Sequence, residues 1–207
     1  MYTLYYAPAT CALASHIALE EAGAPYDTVR VDLRGNEQRK PDYLAINPTG
    51  RVPALQTPSG ILTETPAILA FVAQQFPQAR LAPLDDPFAF AQVQAFNSYL
   101  CATLHVAHAH RMRGHRWADD PAAIQAMKLK VPETMAEGFR LVESTLFQGP
   151  WVMGHQYTIC DPYLFALARW MEGDGVDPAQ FPAILDHRVR MAARPAVAAV
   201  LAREAAE

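Results

Sequence analysis

Cysteine, positive charge and long apolar runs are all scarce in this 207-residue chain. Its three cysteines, Cys11, Cys101 and Cys160, stand far apart, which excludes a disulfide framework and a closely spaced zinc site. Sparse, unpaired cysteine fits a reducing compartment, so the cytoplasm is the expected location. Lys and Arg number 17 against 21 Asp and Glu, a formal charge of −4. Without a basic patch there is no electrostatic footprint for nucleic acid. The densest apolar stretch, residues 68–73, is far short of the roughly 18 residues of a membrane span. The opening Met-Tyr-Thr-Leu-Tyr-Tyr lacks the charged and apolar regions of a secretory signal. Neither nucleic acid nor membrane is therefore an expected partner. Charged residues are only 18% of the chain, but hydrophobic ones are 51%, which excludes a mostly disordered polymer.

What is present falls into two patterns. Residues 1–80 alternate. Tyr2 to Tyr6 reads as a strand, and Pro8 breaks it. Leu13, Ile17 and Ala14, Ala18, Ala22 then recur at helical spacing, between Thr10 as a cap and Gly23 as a stop. Asp27 to Leu33 reads as a second strand, and residues 41–46 as a short helix. A strand from Val52 to Thr57, a turn at Pro58-Ser59-Gly60 and a returning strand at Ile61 to Thr63 follow. A last helix runs to about Gln75, capped by Thr65 with Pro66 in its first turn. The order β-α-β-α-β-β-α predicts a compact α/β unit with a parallel first pair of strands. Residues 81–87 have linker composition. From 88 to 207 the strand signal disappears, and long helical patterns break at Gly114, Asp119-Asp120-Pro121, Gly149-Pro150 and Gly173-Asp174-Gly175. The second domain is expected to be all-α.

Three places in the first domain can carry chemistry. Cys11 stands in the first turn of a helix, where unpaired N–H groups and the helix dipole lower a thiol pKa. There is no second cysteine three residues on, so a self-contained dithiol is disfavoured. Val52-Pro53 enters a strand after Asn47-Pro48-Thr49-Gly50. In the cis form it would offer the Val52 backbone to an extended peptide, and in the trans form it is an ordinary proline-started strand. Glu64-Thr65 sits at a strand-to-helix junction, where open N–H groups suit a carboxylate and the Glu side chain suits an ammonium. Read singly, each also has a structural reading: a small buried residue, a strand start, a capped helix.

Taken in order, a cysteine after strand 1, Asn-Pro-Thr-Gly-Arg-Val-Pro-Ala-Leu, and Leu-Thr-Glu before helix 3 resemble a bacterial beta-class glutathione S-transferase. The opening Tyr-Tyr-Ala-Pro-Ala-Thr-Cys-Ala-Leu-Ala-Ser-His-Ile is similar to that class's N-terminal signature. Thr158-Ile159-Cys160-Asp161 resembles its Ser/Thr-x-x-Asp capping motif, and His105 falls where the family places a histidine facing glutathione. The resemblance implies a thioredoxin-like N-terminal domain, an all-α C-terminal domain, a homodimer, and glutathione in the cleft between them. It implies a cis Val52–Pro53 bond. It also implies Cys11 and His105 at the glutathione sulfur, Val52 and Pro53 along its backbone, and Glu64 and Thr65 at its γ-glutamyl end. Ser98, Ala102 and Thr103 are carried over by position on the same helix stretch as His105, with Tyr5 and Asn36 in minor roles. The family's lysine after strand 2 is replaced here by Arg34-Gly35-Asn36, which leaves glutathione's glycine carboxylate without an assigned partner.

The resemblance implies transfer of the glutathione sulfur to small electrophiles, with Cys11-based thiol exchange or peroxide reduction as an added capacity. Glutathione is a co-substrate, and no tightly bound cofactor is expected. Two alternatives are a glutaredoxin-like disulfide reductase and a non-catalytic glutathione or ligand-binding protein. His105, His108, His110 and His115 cluster, but no carboxylate or cysteine accompanies them, so no metal is expected. Cys101 and Cys160 read as structural, and Thr158 and Asp161 as a capping pair.

Overall fold

The computed structural model describes residues 1–206. Four strands, β1 (Tyr2–Tyr6), β2 (Tyr26–Arg30), β3 (Ala54–Thr57) and β4 (Gly60–Thr63), form one sheet in the order β2-β1-β3-β4. β1 and β2 are parallel, and β1–β3 and β3–β4 are antiparallel. Helices α1 (Ala12–Glu21), α2 (Pro41–Ile46) and α3 (Thr65–Gln75) complete a thioredoxin-like unit. The rest is helical: α4 (Pro87–Tyr99), α5 (His105–Arg113), α6 (Pro121–Leu141), α7 (Cys160–Ala168), α8 (Pro182–Ala192) and α9 (Pro195–Ala206).

Several expected boundaries shift for local reasons. β2 ends at Arg30 rather than Leu33 because Asp32 turns the chain: its Oδ1 accepts from the Arg34 and Gly35 N–H groups. α1 begins at Ala12, so Cys11, not Thr10, holds the cap position. The Thr10 hydroxyl still accepts from the Ala12 N–H at 3.3 Å. In α3 the cap position belongs to Glu64, and Thr65 is the first helical residue. The helical pattern expected to run unbroken to Gly114 is interrupted by a wider π-type turn at Leu100–Leu104, and α6 ends in a second one at Val142–Leu146.

The core is continuous between the two halves. Every residue of α1 from Ala12 to Leu19 is buried, because the helix lies between the sheet and helices α7 and α9. Its one imidazole, His16, is satisfied by Glu204 of α9 at 3.0 Å. α7 is buried along its whole length. The cap position of α7 belongs to Ile159, and Thr158 and Asp161 make their bonds one residue ahead of it: Asp161 Oδ2 accepts from the Thr158 N–H at 2.7 Å, and the Thr158 hydroxyl accepts from the Cys160 N–H at 3.3 Å. Asp161 Oδ1 also accepts from the Val152 N–H at 2.8 Å and lies 3.0 Å from His187 Nε2. The carboxylate thus ties α7, the preceding loop and α8 together inside the core. Among the described residues, no helix is long and apolar enough to cross a membrane.

Candidate functional site

A cleft of about 270 Å³ lies between the sheet unit and the helices. On the sheet side its wall includes Cys11, Val52, Pro53, Glu64 and Thr65, and on the helical side Cys101, His105 and His108. The Val52–Pro53 bond is cis, as the resemblance implies. The Cys11 thiol donates to the Val52 carbonyl at 3.6 Å, so the thiol and the exposed peptide edge are direct neighbours. Glu64 adopts φ 70°, which swings the chain sharply into α3. No side chain caps the first turn of that helix, so its leading N–H groups stay available to a ligand.

The electrostatics correct two expectations. The helix N-terminus was expected to lower the Cys11 pKa, but burial dominates and pushes it up to about 11, against a smaller opposite pull from the Thr65 hydroxyl. His105 cannot assist as a cation, because burial foremost, then His108 and the neighbouring arginines, lower it to about 4. At neutral pH the cleft therefore holds a protonated thiol and an uncharged imidazole.

Five residues named from sequence fall outside the cleft wall. The stripe Cys101, His105, Ala109 and Arg113, at four-residue spacing, faces the cavity. Ser98, Ala102 and Thr103 lie off that stripe and are exposed. Tyr5 points along the sheet, its hydroxyl donating to Gln56 Oε1 at 3.2 Å and its ring edge-on to Tyr43. Asn36 is exposed in a left-handed turn, and the loop instead sends Gln38 to the cleft, with a buried Oε1 that has no protein partner.

Other wall residues were not anticipated. Trp170 stacks on His108 at 4.0 Å between centroids, and His108 Nδ1 lies 2.7 Å from the buried Asp174 carboxylate. Arg51, Arg113, Arg116 and Trp117 also line the cavity. The four-residue stripe through His105 could have found Arg113; the others depend on tertiary packing. Among the described residues, no three His, Cys, Asp or Glu side chains are placed to hold a metal ion. His108 and His110 are engaged instead with Trp170 and Trp117.

A family model for the glutathione S-transferase N-terminal domain matches residues 1–74. Glutathione S-transferase GstA from Escherichia coli O157:H7 is 32% identical over 204 residues, covering 97% of this chain and 98% of its own. The chain belongs to the glutathione S-transferase family. A glutathione transferase homologue from Sulfitobacter, solved with bound glutathione, superimposes with a TM-score of 0.95 at 50% identity over 98% of both chains. The beta-class glutathione S-transferase of Sphingomonas chungbukensis gives a TM-score of 0.85 at 34% identity, again over 98% of each. The thioredoxin-like sheet unit and the mostly helical second part of this transferase match the architecture of those structures.

Proposed function

We propose that this chain is a beta-class glutathione transferase that conjugates the glutathione thiolate to small electrophiles in the cleft lined by Cys11, Val52 and Glu64. One observation carries this reading. A cis-proline peptide edge, a buried thiol and an acid beside an uncapped helix start line one cavity. These are the groups a γ-glutamyl-cysteinyl peptide would use. Glu64 takes its ammonium, and the first turn of α3 with Thr65 takes the adjacent carboxylate. The Val52 backbone pairs with the cysteinyl unit, and Pro53 shapes that edge.

The chemical task is to stabilise a glutathione thiolate. A Cys11 thiol held near pKa 11 stays protonated, so it acts as a hydrogen-bond donor to that sulfur. The neutral His105 imidazole offers a second polar group on the opposite wall. The glutathione thiol proton leaves to water, the thiolate forms the C–S bond, and the leaving group departs with its electron pair. The raised thiol pKa weighs against Cys11 as the attacking thiolate, and thus against a glutaredoxin-like reductase. A ligand-binding protein without catalysis would need no thiol donor beside the sulfur.

In this reading residues 1–80 bind glutathione, 81–87 link, and 88–207 supply the electrophile wall. The protein works as a cytoplasmic homodimer in detoxification, with glutathione as co-substrate. Sedimentation as a stable monomer at micromolar concentration would contradict the dimer. The activity is tested by following glutathione conjugation to 1-chloro-2,4-dinitrobenzene. Turnover above the uncatalysed rate that falls in Glu64→Gln supports it; none at any glutathione concentration overturns it.

A further inference from the structure

Three guanidinium groups meet in the cleft with no acid paired to them. Arg51 stands immediately before the cis-proline edge, Arg113 closes α5, and Arg116 follows one turn later; all three line the cavity. Among the described residues, the arginines in ion pairs are Arg111, Arg188, Arg190, Arg194 and Arg203, none of this trio. Arg113 and Arg116 are only partly exposed. Burial and the fields of Arg113, Arg51 and Arg39 lower Arg116 to about 10, so it remains a cation at neutral pH. Half-buried like charges without a counter-ion are unfavourable unless a ligand supplies negative charge.

Glutathione does not supply enough. Its ammonium is matched by Glu64, and its γ-glutamyl carboxylate by the start of α3. Its glycine carboxylate needs one guanidinium, and Arg51, next in sequence to Val52, is on the peptide edge. Arg113 and Arg116 are left over. They come from the helical wall, where the indoles of Trp117 and Trp170 provide flat apolar surface; Trp117 is 48% exposed.

We propose that Arg113 and Arg116 form a carboxylate-binding subsite for the second substrate, so that this transferase selects planar electrophiles bearing an acid group. This rests on glutathione occupying the sheet side of the cleft. A guanidinium pair matches a carboxylate in shape and charge, and the indoles stack on the attached ring.

The test compares 4-chloro-3-nitrobenzoate with 4-chloro-3-nitrobenzamide. In each the glutathione thiolate forms a C–S bond, the C–Cl bond breaks, and chloride leaves with the electron pair. Each kcat/KM is divided by the substrate's uncatalysed rate with glutathione. The wild type should favour the acid by about tenfold or more, the scale of one charge-assisted hydrogen bond. The ratio should collapse toward one in the Arg113→Met/Arg116→Met double variant and survive in Arg116→Lys. Should the double variant fail to fold, the wild type decides alone. 3-Nitrobenzoate should then inhibit 1-chloro-2,4-dinitrobenzene conjugation at roughly tenfold lower concentration than 3-nitrobenzamide. Equal inhibition, or no acid preference while the amide is conjugated, overturns the subsite and leaves the transferase reading standing. Only the absence of conjugation of all three compounds, 1-chloro-2,4-dinitrobenzene included, overturns the transferase reading itself. A rise in glutathione Kd in the double variant that is absent for the glycyl ethyl ester would assign the arginines to glutathione's own carboxylate and overturn the proposal.

Discussion

The Trp170 indole N–H donates to the Ala9 carbonyl at 3.1 Å, a bond between positions 161 residues apart. Ala9 has φ 58° and stands two residues before Cys11. The helical half thus holds the loop that presents the thiol, and His108, stacked on Trp170 and anchored to Asp174, fixes the indole in turn. Trp170→Phe keeps an aromatic ring, though a smaller one, against His108 and removes the donor. A single neutral hydrogen bond sets the expected scale, so glutathione Kd should rise about two- to tenfold with little change in melting temperature. An unchanged Kd would detach this bond from the site.

Replacing Glu64 by Gln keeps the side-chain shape and its unusual backbone angle but removes the charge. Loss of an ammonium–carboxylate contact, worth roughly 1.5–3 kcal/mol, should raise glutathione Kd by about ten- to a hundredfold in calorimetry. Affinity equal to wild type would remove Glu64 from the glutathione contacts.

Cys11 should alkylate slowly at neutral pH. Its buried thiol titrates near 11, so the rate of iodoacetamide modification in the empty protein should climb between pH 9 and 11. A plateau already reached near pH 7.5 would restore the low-pKa thiolate that a helix N-terminus alone suggests.

His105 gives the opposite pH signature. In the unfolded chain it takes up a proton near 6.5, but in the folded protein only near 4. Between those values the unfolded state binds more protons, so stability is lost as pH falls from about 6.5 toward 4. The melting temperature should drop over that window in the wild type and less steeply in His105→Gln. Identical pH profiles would contradict an uncharged, buried imidazole.

The capping pair should prove unequal. Thr158→Ala removes a helix cap and should cost about 1 kcal/mol. Asp161→Ala also strands the Val152 and Thr158 N–H groups and His187 in the core, so a loss of about 3–5 kcal/mol is expected in urea unfolding. Equal losses would mean that Asp161 acts only as a cap.

Local chemistry made much of this legible in sequence. The β-α-β-α-β-β-α order follows from alternating and four-residue periodicities, and the helices of the second half from its proline and glycine breaks. Cys11, Val52, Pro53, Glu64, Thr65 and His105 were all nameable, and the fold brings them to one cleft. What escaped depends on distance in space. The π-type turn at Leu100–Leu104 interrupts the regular helix before His105, and Ser98, Ala102 and Thr103 fall on the exposed face. Helix position, which is local, points to a low Cys11 pKa, whereas the desolvation that raises it is set by every element packed around the thiol. Trp170 reaches the cleft, and Asp174 the back of His108, only through the way α7 and the turn after it pack.

The most direct measurement is a crystal structure of this protein with glutathione. The account predicts the glutathione sulfur beside Cys11, its cysteinyl backbone on Val52, and its γ-glutamyl group between Glu64 and the first turn of α3. Glutathione bound elsewhere, or bound in this cleft with its γ-glutamyl end turned away from Glu64, would contradict it.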